Sequence, residues 1–265
     1  MRKHKGRSYP KFLWWLTELV FSDTGAELEN SNSIAVRHLR QILYFMYKVP
    51  LKYDDEQKDQ VIASFIDTDH ELERPLDLDV KDRAVLSVAS HLVARAVGNV
   101  DPLDIAPRHG PGVVSTGEKP WEKFRFRRRY SLLENIYPAD SYFYLGTSHL
   151  CDRLQDFMAS EELVSGTAKV VLVPKDSRGP RLISCEPLEY QFMQQGLARS
   201  ITDELESNRM TAGQVNFTDQ SINRDLARIG SIDQSLVTLD MKDASDRVSF
   251  DLVSRLFPIG LMESL

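Results

Sequence analysis

The stretch LVTLDMKDASDRVS, residues 236–249, decides the reading of this chain. An apolar run from Leu236 to Leu239 closes on Asp240, and Asp243 and Asp246 follow before a helical pattern in which Val248, Leu252 and Leu256 share a face, with Pro258 beyond it. The run reads as a buried strand with a carboxylate at its carboxyl end. A hard divalent cation such as Mg²⁺ takes carboxylate oxygens and keeps substrate phosphates as its other ligands, so this placement suits phosphoryl transfer. Helix capping is the plainer account, because Asp243 and Ser245 are good N-cap residues at a strand-to-helix turn.

A complementary charge lies upstream in KVVLVPKDSRGPRLIS, residues 169–184. Lys169 to Val173 and Arg181 to Ser184 read as two strands around a loop bounded by Pro174 and Pro180. Lys169, Lys175, Arg178 and Arg181 fall within thirteen residues, opposed only by Asp176. Such cations neutralise a triphosphate and its pyrophosphate leaving group; equally, they solubilise an exposed hairpin.

The net charge of −6, from 33 Lys and Arg against 39 Asp and Glu, taken alone argues against a polyanionic partner. Its distribution reverses that impression. Residues 1–11 hold Arg2, Lys3, Lys5, Arg7 and Lys11 without an acid. Residues 118–129 (EKPWEKFRFRRR) hold six bases, including Arg125, Arg127, Arg128 and Arg129, against Glu118 and Glu122, with Trp121, Phe124 and Phe126 interleaved. Cations displace counterions from phosphates while rings stack on unpaired bases, which suits nucleic acid; a solvated turn or strand edge is the alternative. Residues 54–79 carry ten acids against Lys58 and Arg74, the pattern of a solvent-facing helix, a surface repelling nucleic acid, or a protein docking face.

With 265 residues, 42% hydrophobic and 27% charged, the composition is globular, long enough for one large domain or two modest ones, and excludes a fibrous or largely disordered chain. Phe12 to Phe21 is too short to cross a bilayer, contains Glu18 and lacks a small-residue cleavage site, so it reads as neither span nor signal peptide, and the expectation is a soluble cytoplasmic protein. Cys151 and Cys185 match neither a disulfide framework nor a metal knuckle and read as packing residues.

The first hundred residues read as helical. Ile34, Leu39, Ile42, Leu43 and Met46 recur at helix spacing behind Ser33 as N-cap; Asp54 caps a helix to about Ile66; Asp79 caps one carrying Leu86, Val93 and Val97 and ending at Gly98. Residues 99–147 are irregular, and a helix follows from Ser148 to Ala159. Pro187 opens a long helix with Leu188, Phe192, Ile201 and Leu205, and one with Ile222, Leu226 and Ile229 stops at Gly230.

Taken together and in this order, Arg108-His-Gly-Pro-Gly112, the hairpin stretch with Glu186-Pro187 behind it, NFTDQSINRDLARIGS (residues 216–231) and LDMKDASDRVS (residues 239–249) resemble the replicase subunit of positive-strand RNA bacteriophages, the levivirus type of RNA-directed RNA polymerase. The resemblance implies an α+β right-hand polymerase: a helical N-terminal region over residues 1–100, fingers over 101–225 including the hairpin, and the start of the palm over 226–265. It implies that Asp240 holds catalytic Mg²⁺ in a two-metal site, its ions about 3.5 to 4 Å apart, and that Ser245 and Asp246 check the incoming ribose. Lys169, Lys175, Arg178 and Arg181 would meet triphosphate or template phosphates, and Arg108, Arg125, Arg127, Arg128 and Arg129 RNA. Implied partners are RNA template and product, nucleoside triphosphates, host elongation factors Tu and Ts and a host ribosomal protein, in the cytoplasm of the bacterial host and without a membrane.

The family's Gly-Asp-Asp turn does not occur in these 265 residues, so the expectation is a C-terminally truncated polymerase, inactive alone. A non-enzymatic RNA-binding module and a reverse-transcriptase-like palm polymerase remain as alternatives. His109, before Gly-Pro-Gly, reads first as a residue holding a loop in place and second as a group serving RNA or proton transfer.

Overall fold

The structure, a computed structural model, describes residues 6–9, 11–45, 47, 49, 52–177, 179–241 and 243–264. Arg178 and Met46, and Arg2, Lys3 and Lys5 of the N-terminal basic run, lie outside them. The elements begin with α1 (Trp14–Thr17), α2 (Ser33–Phe45), α3 (Asp55–Leu72), α4 (Val80–Val97), β1 (Arg128–Tyr130), α5 (Ser131–Glu134), α6 (Ala139–Tyr142), α7 (Thr147–Asp152) and α8 (Leu154–Met158). There follow β2 (Glu161–Leu163), β3 (Lys169–Asp176), β4 (Gly179–Cys185), α9 (Leu188–Ser207), α10 (Gln220–Asp233), α11 (Phe250–Leu256) and α12 (Ile259–Met262), with 3₁₀ turns at Pro120–Glu122 and Ser245–Arg247. This is an α+β chain whose strands form two two-stranded sheets among the described residues, β1 with β2 and β3 with β4. It divides into two compact units, residues 1–63 with 172–183, and residues 64–171 with 184–265.

In the first unit, Leu16, Val20, Ala35 and Leu39 form the core, with Leu13, Phe21 and Val36 packed against it. The N-cap of α2 is Asn32, whose Oδ1 accepts from the amides of Ile34 and Ala35 at 3.1 and 3.0 Å; Ser33 is the first helical residue instead. Asp54 begins α3 as expected, accepting from Gln57 N at 2.8 Å while the Gln57 side chain accepts from Asp54 N at 3.2 Å, a reciprocal capping box. The ten acids between residues 54 and 79 are all exposed, as each of the three readings requires. The hairpin tip is pinned through backbone: the Tyr53 hydroxyl donates to Asp176 O at 3.0 Å and accepts from Lys175 N at 3.1 Å, and Ser177 N donates to Tyr47 O at 3.0 Å. Joining β3 to β4 across two residues leaves only an antiparallel pairing, with strands longer than the aliphatic runs alone suggest.

In the second unit, α9 is the central element. Met193 packs with Tyr137, Ala139 and Phe143, and Leu197 with Val97 and Leu261. At its end, Asn208 Nδ2 donates to the Arg95 and Ala96 carbonyls at 3.1 and 3.3 Å, satisfying acceptors left open where α4 terminates. Asp79 caps α4, accepting from Asp82 N at 2.7 Å. The helix expected from Ser148 to Ala159 breaks at Arg153 into α7 and α8. Helix α10 runs on past Gly230 to Asp233 and ends on Gln234 in the left-handed region (φ 58°). Gly230 has a different purpose: a Cβ there would lie 2.7 Å from Leu236 O, so its bareness lets the following segment fold back.

That segment differs from expectation. Leu236 to Leu239 is irregular, with Val237 and Leu239 81% and 84% exposed. A strand needs a neighbour to complete its hydrogen-bond ladder, and among the described residues no strand runs alongside it. Cys185 is buried, as a packing residue should be, whereas Cys151 is exposed.

Gly196 shows how closely α9 is seated: a Cβ would lie 2.9 Å from Pro107 Cα and 3.1 Å from Pro107 N. In an exposed helix Gly→Ala stabilises by about 1 kcal/mol. Gly196→Ala is expected to lower the melting temperature instead; a Tm at or above wild type contradicts this packing.

Candidate functional site

Candidate groups on the hairpin and in the segment after α10 are open to solvent. On the hairpin, Lys169, Lys175 and Arg181 are exposed and none is in an ion pair among the described residues, while Asp176, the acid opposing them, is buried. In the segment after α10, Asp240 is exposed and engages no hydrogen bond or ion pair among the described residues. Capping does not account for the three acids. Helix α11 is capped by Ser249, whose Oγ accepts from Leu252 N at 3.2 Å, and the turn at Ser245–Arg247 starts from Ala244 without a side-chain cap. Asp243 takes a left-handed backbone (φ 52°), and Ser245 Oγ donates to Asp246 Oδ1 at 3.1 Å with both residues exposed. Arg247 pairs with Glu71 at 3.3 Å.

A magnesium centre needs several oxygen donors converging on one point. Among the described residues no three His, Cys, Asp or Glu side chains gather in that way, Asp240, Asp243 and Asp246 included. The donors in place therefore do not fit a metal centre by themselves, and Asp240 could supply only one ligand of one.

The basic run at 118–129 is largely engaged within the chain. Strand β1 pairs in parallel with β2 in a register that sets Arg128 beside Glu161 and Arg129 beside Glu162. Arg128 also donates to Glu118 at 2.8 Å, and Arg129 pairs with Glu162 and, at 3.9 Å, Glu134. Burial pushes the Glu118 carboxyl up, but hydrogen bonds from Thr116 and Arg128 outweigh it and hold it below the usual range. Arg127 lies 3.7 Å from Glu122, while Arg125 and Arg108 are exposed and without an ion pair among the described residues. At the N-terminus Arg7 is bound to Glu18 and Asp23 at 3.1 and 2.9 Å.

Three residues that the sequence did not single out organise this region. Lys123, 3% exposed, donates to the carbonyls of Gly110 at 2.8 Å and Gly112 at 2.5 Å and reaches Gln191 Oε1 at 3.4 Å, tying the His-Gly-Pro-Gly turn to α9. His109 itself is packed among rings, 4.5 Å from Phe192 and 4.8 Å from Phe124 between centroids, with both ring nitrogens buried and unbonded. Burial, with the Lys123 charge adding to it, pushes its pKa down to about 4, so the ring is neutral and holds the loop. Glu189, 2% exposed, has its carboxyl pushed up to about 7 by burial. Neither of its oxygens reaches a hydrogen-bond partner in normal geometry, and the void of about 10 Å³ that it helps to line is too small for a ligand. Glu118 completes the set as the buried partner of Arg128. No periodicity marks any of the three, since Lys123 and Glu118 depend on partners, and Glu189 on burial, that only folding supplies.

Residues 140–265 match the model of the family described as RNA replicase, beta-chain. The hairpin and Asp240 both fall inside it. The chain is 27% identical over 186 residues to the RNA-directed RNA polymerase subunit beta of Escherichia virus Qbeta, covering 68% of this chain and 29% of that protein. It is 36% identical over 108 residues to the corresponding subunit of Enterobacteria phage SP (41% and 18%) and 38% identical over 96 residues to the beta chain of Escherichia phage MS2 (36% and 17%). The chain thus spans less than a third of these curated relatives. Among the described residues no helix is long and apolar enough to cross a membrane.

His109 and Glu189 give stability opposite pH dependences. Glu189 keeps its proton in the folded chain to about pH 7 against an ordinary 4.5, so its contribution is full below 4.5 and is lost as pH rises to 7. That contribution amounts to up to about 3 kcal/mol. His109 stays neutral in the folded chain down to about pH 4 against an ordinary 6.5, so its contribution is full above 6.5 and is lost as pH falls to 4. Urea unfolding across this range is expected to show Glu189→Gln gaining stability relative to wild type as pH rises, and His109→Phe losing it. Flat difference curves for both variants contradict the assignment.

Proposed function

We propose that these residues are part of an RNA-directed RNA polymerase of the right-hand fold, with fingers over residues 101–225 and the palm opening at 226. The observation that carries this reading is that the family match over residues 140–265 contains both the basic hairpin and an exposed Asp240 that caps nothing. The reaction is attack of a nascent-strand 3′-hydroxyl on the α-phosphate of a ribonucleoside triphosphate, releasing pyrophosphate, as directed by an RNA template.

Each group then has a task suited to its chemistry. Lys169, Lys175 and Arg181, with Arg178, offset triphosphate or template charge; their stiff, backbone-pinned hairpin limits the reorganisation needed as charge develops. Asp240 contributes one magnesium carboxylate, the remaining donors coming from outside the described set. Ser245 and Asp246, already hydrogen-bonded to each other, offer an acceptor to a ribose 2′-hydroxyl, the group that separates ribonucleotide from deoxyribonucleotide. Arg108 and Arg125 are free to meet RNA phosphates. Host elongation factors Tu and Ts, a host ribosomal protein and the cytoplasm of an infected bacterium belong to the same proposal.

Templated ribonucleotide incorporation by the whole gene product carrying these residues tests it. Asp240→Asn and Asp240→Ala are expected to cut incorporation at least about a thousandfold, the consequence of removing several kcal/mol of charge stabilisation, with RNA affinity retained. Activity persisting in both variants contradicts the assignment of Asp240; incorporation of deoxyribonucleotides in preference to ribonucleotides contradicts the assignment of the reaction.

A further inference from the structure

Beside the basic run lies a cleft of about 510 Å³, within the range that encloses small organic ligands, lined on one side by Phe124, Arg125, Phe126 and Arg127 and on the other by residues 143–160. Its charge is unbalanced. Arg125, Arg127 and Arg153 face a single acid, Asp156, which Arg153 holds at 3.2 Å. Arg125 has no ion pair among the described residues, and Arg127 has only the distant Glu122 at 3.7 Å. The neighbouring Arg128 and Arg129 are drawn away into β1 and its glutamates, so the cleft takes its cations from alternate positions of the run and from the break between α7 and α8.

The cleft also carries an aromatic ring in an unusual state. Phe124 is 77% exposed although it meets His109 in an edge-to-face contact, 4.8 Å away between centroids. The ring is thus anchored by a neutral imidazole that Lys123 and α9 hold in place, while most of its surface stays open. Tyr144 extends the aromatic lining deeper. Guanidinium groups suit phosphate through paired donors, and a supported, open ring suits a base that has left its own stack. A duplex offers phosphates but keeps its bases stacked and paired, so it satisfies only half of this lining.

From this geometry we infer that the cleft seats one unpaired nucleotide of a single-stranded RNA, its base on Phe124 and its phosphates at Arg125, Arg127 and Arg153. The site rests on the polymerase reading and adds to it a point of contact for the strand. Phe124 is one of the rings interleaved in the basic run, whereas Arg153 enters through the fold: nothing in its local sequence marks it for RNA.

Fluorescence anisotropy with a labelled single-stranded oligoribonucleotide tests the site in the 265-residue chain. Phe124→Ala and Arg125→Glu are both at exposed positions, and circular dichroism establishes that each variant folds. Each is expected to weaken binding by about tenfold, the scale of one lost base stack, with Arg125→Glu also flattening the dependence of affinity on salt by nearly one unit of slope. Unlabelled single-stranded RNA should displace the probe at far lower concentration than duplex RNA of equal length or free nucleoside triphosphate. If wild type binds RNA and both variants bind equally well, the cleft assignment fails while the polymerase reading stands. If duplex or free triphosphate competes equally, the choice of an unpaired strand nucleotide is overturned. If wild type binds no RNA, the cleft assignment fails; the polymerase reading is then judged separately by the Asp240 variants.

Discussion

The ammonium of Lys123 is the interaction on which the second unit turns. A buried cation without partners costs several kcal/mol, so its place at 3% exposure depends on the carbonyls of Gly110 and Gly112 and the amide oxygen of Gln191 replacing water. The same contacts draw the His-Gly-Pro-Gly turn onto α9, where Phe192 and Met193 meet the aromatic rings of residues 124–143. His109 follows as a consequence: beside a positive charge and among rings it remains neutral. Glu189, two residues before Gln191 on α9, is the corresponding acid, kept protonated near neutrality by burial.

Around this frame the charges sort into two populations. Lys123, Arg128, Arg129 and Glu118 are engaged within the fold and serve its geometry. Lys169, Lys175, Arg181, Arg125 and Asp240 remain open to solvent without an ion pair among the described residues. A run of basic residues is therefore not a uniform surface. In 118–129 one lysine is core, two arginines staple a parallel strand pair, Arg125 and Arg127 line a cleft, and Lys119 lies over the Trp121 ring. On the proposed function, nucleic-acid chemistry falls to the second population, because a guanidinium already satisfied by glutamate has less to gain from a phosphate.

How far this was legible from sequence follows the range of each interaction. Asp54, Asp79 and Pro187 announce their helices because capping and proline geometry act within a few residues. The hairpin is equally local. Leu236 to Leu239 looks like a strand by its apolar content, yet a strand also requires a neighbour, which four residues cannot specify. Gly230 resembles a helix stop, but its role lies in the approach of Leu236. Likewise Arg128 and Arg129 find their glutamates some thirty residues away, at positions 161 and 162, and only the β1–β2 register reveals the match. For the site, the order of basic hairpin and acid-bearing segment is visible in the sequence. The cleft with Phe124 and Arg153 was not, since it exists only after α7 and α8 fold beside the run.

On the proposed function, Asp240 is an open carboxylate kept for a metal and not for the fold. Replacing magnesium with ferrous iron in the whole gene product and starting local hydroxyl-radical chemistry cuts the backbone beside the bound ion, and mapping the fragments reads its position directly. A cut next to Asp240 that disappears in Asp240→Ala is the result this account predicts. Cuts confined to distant segments, or an Asp240 cut unchanged by the substitution, would contradict it.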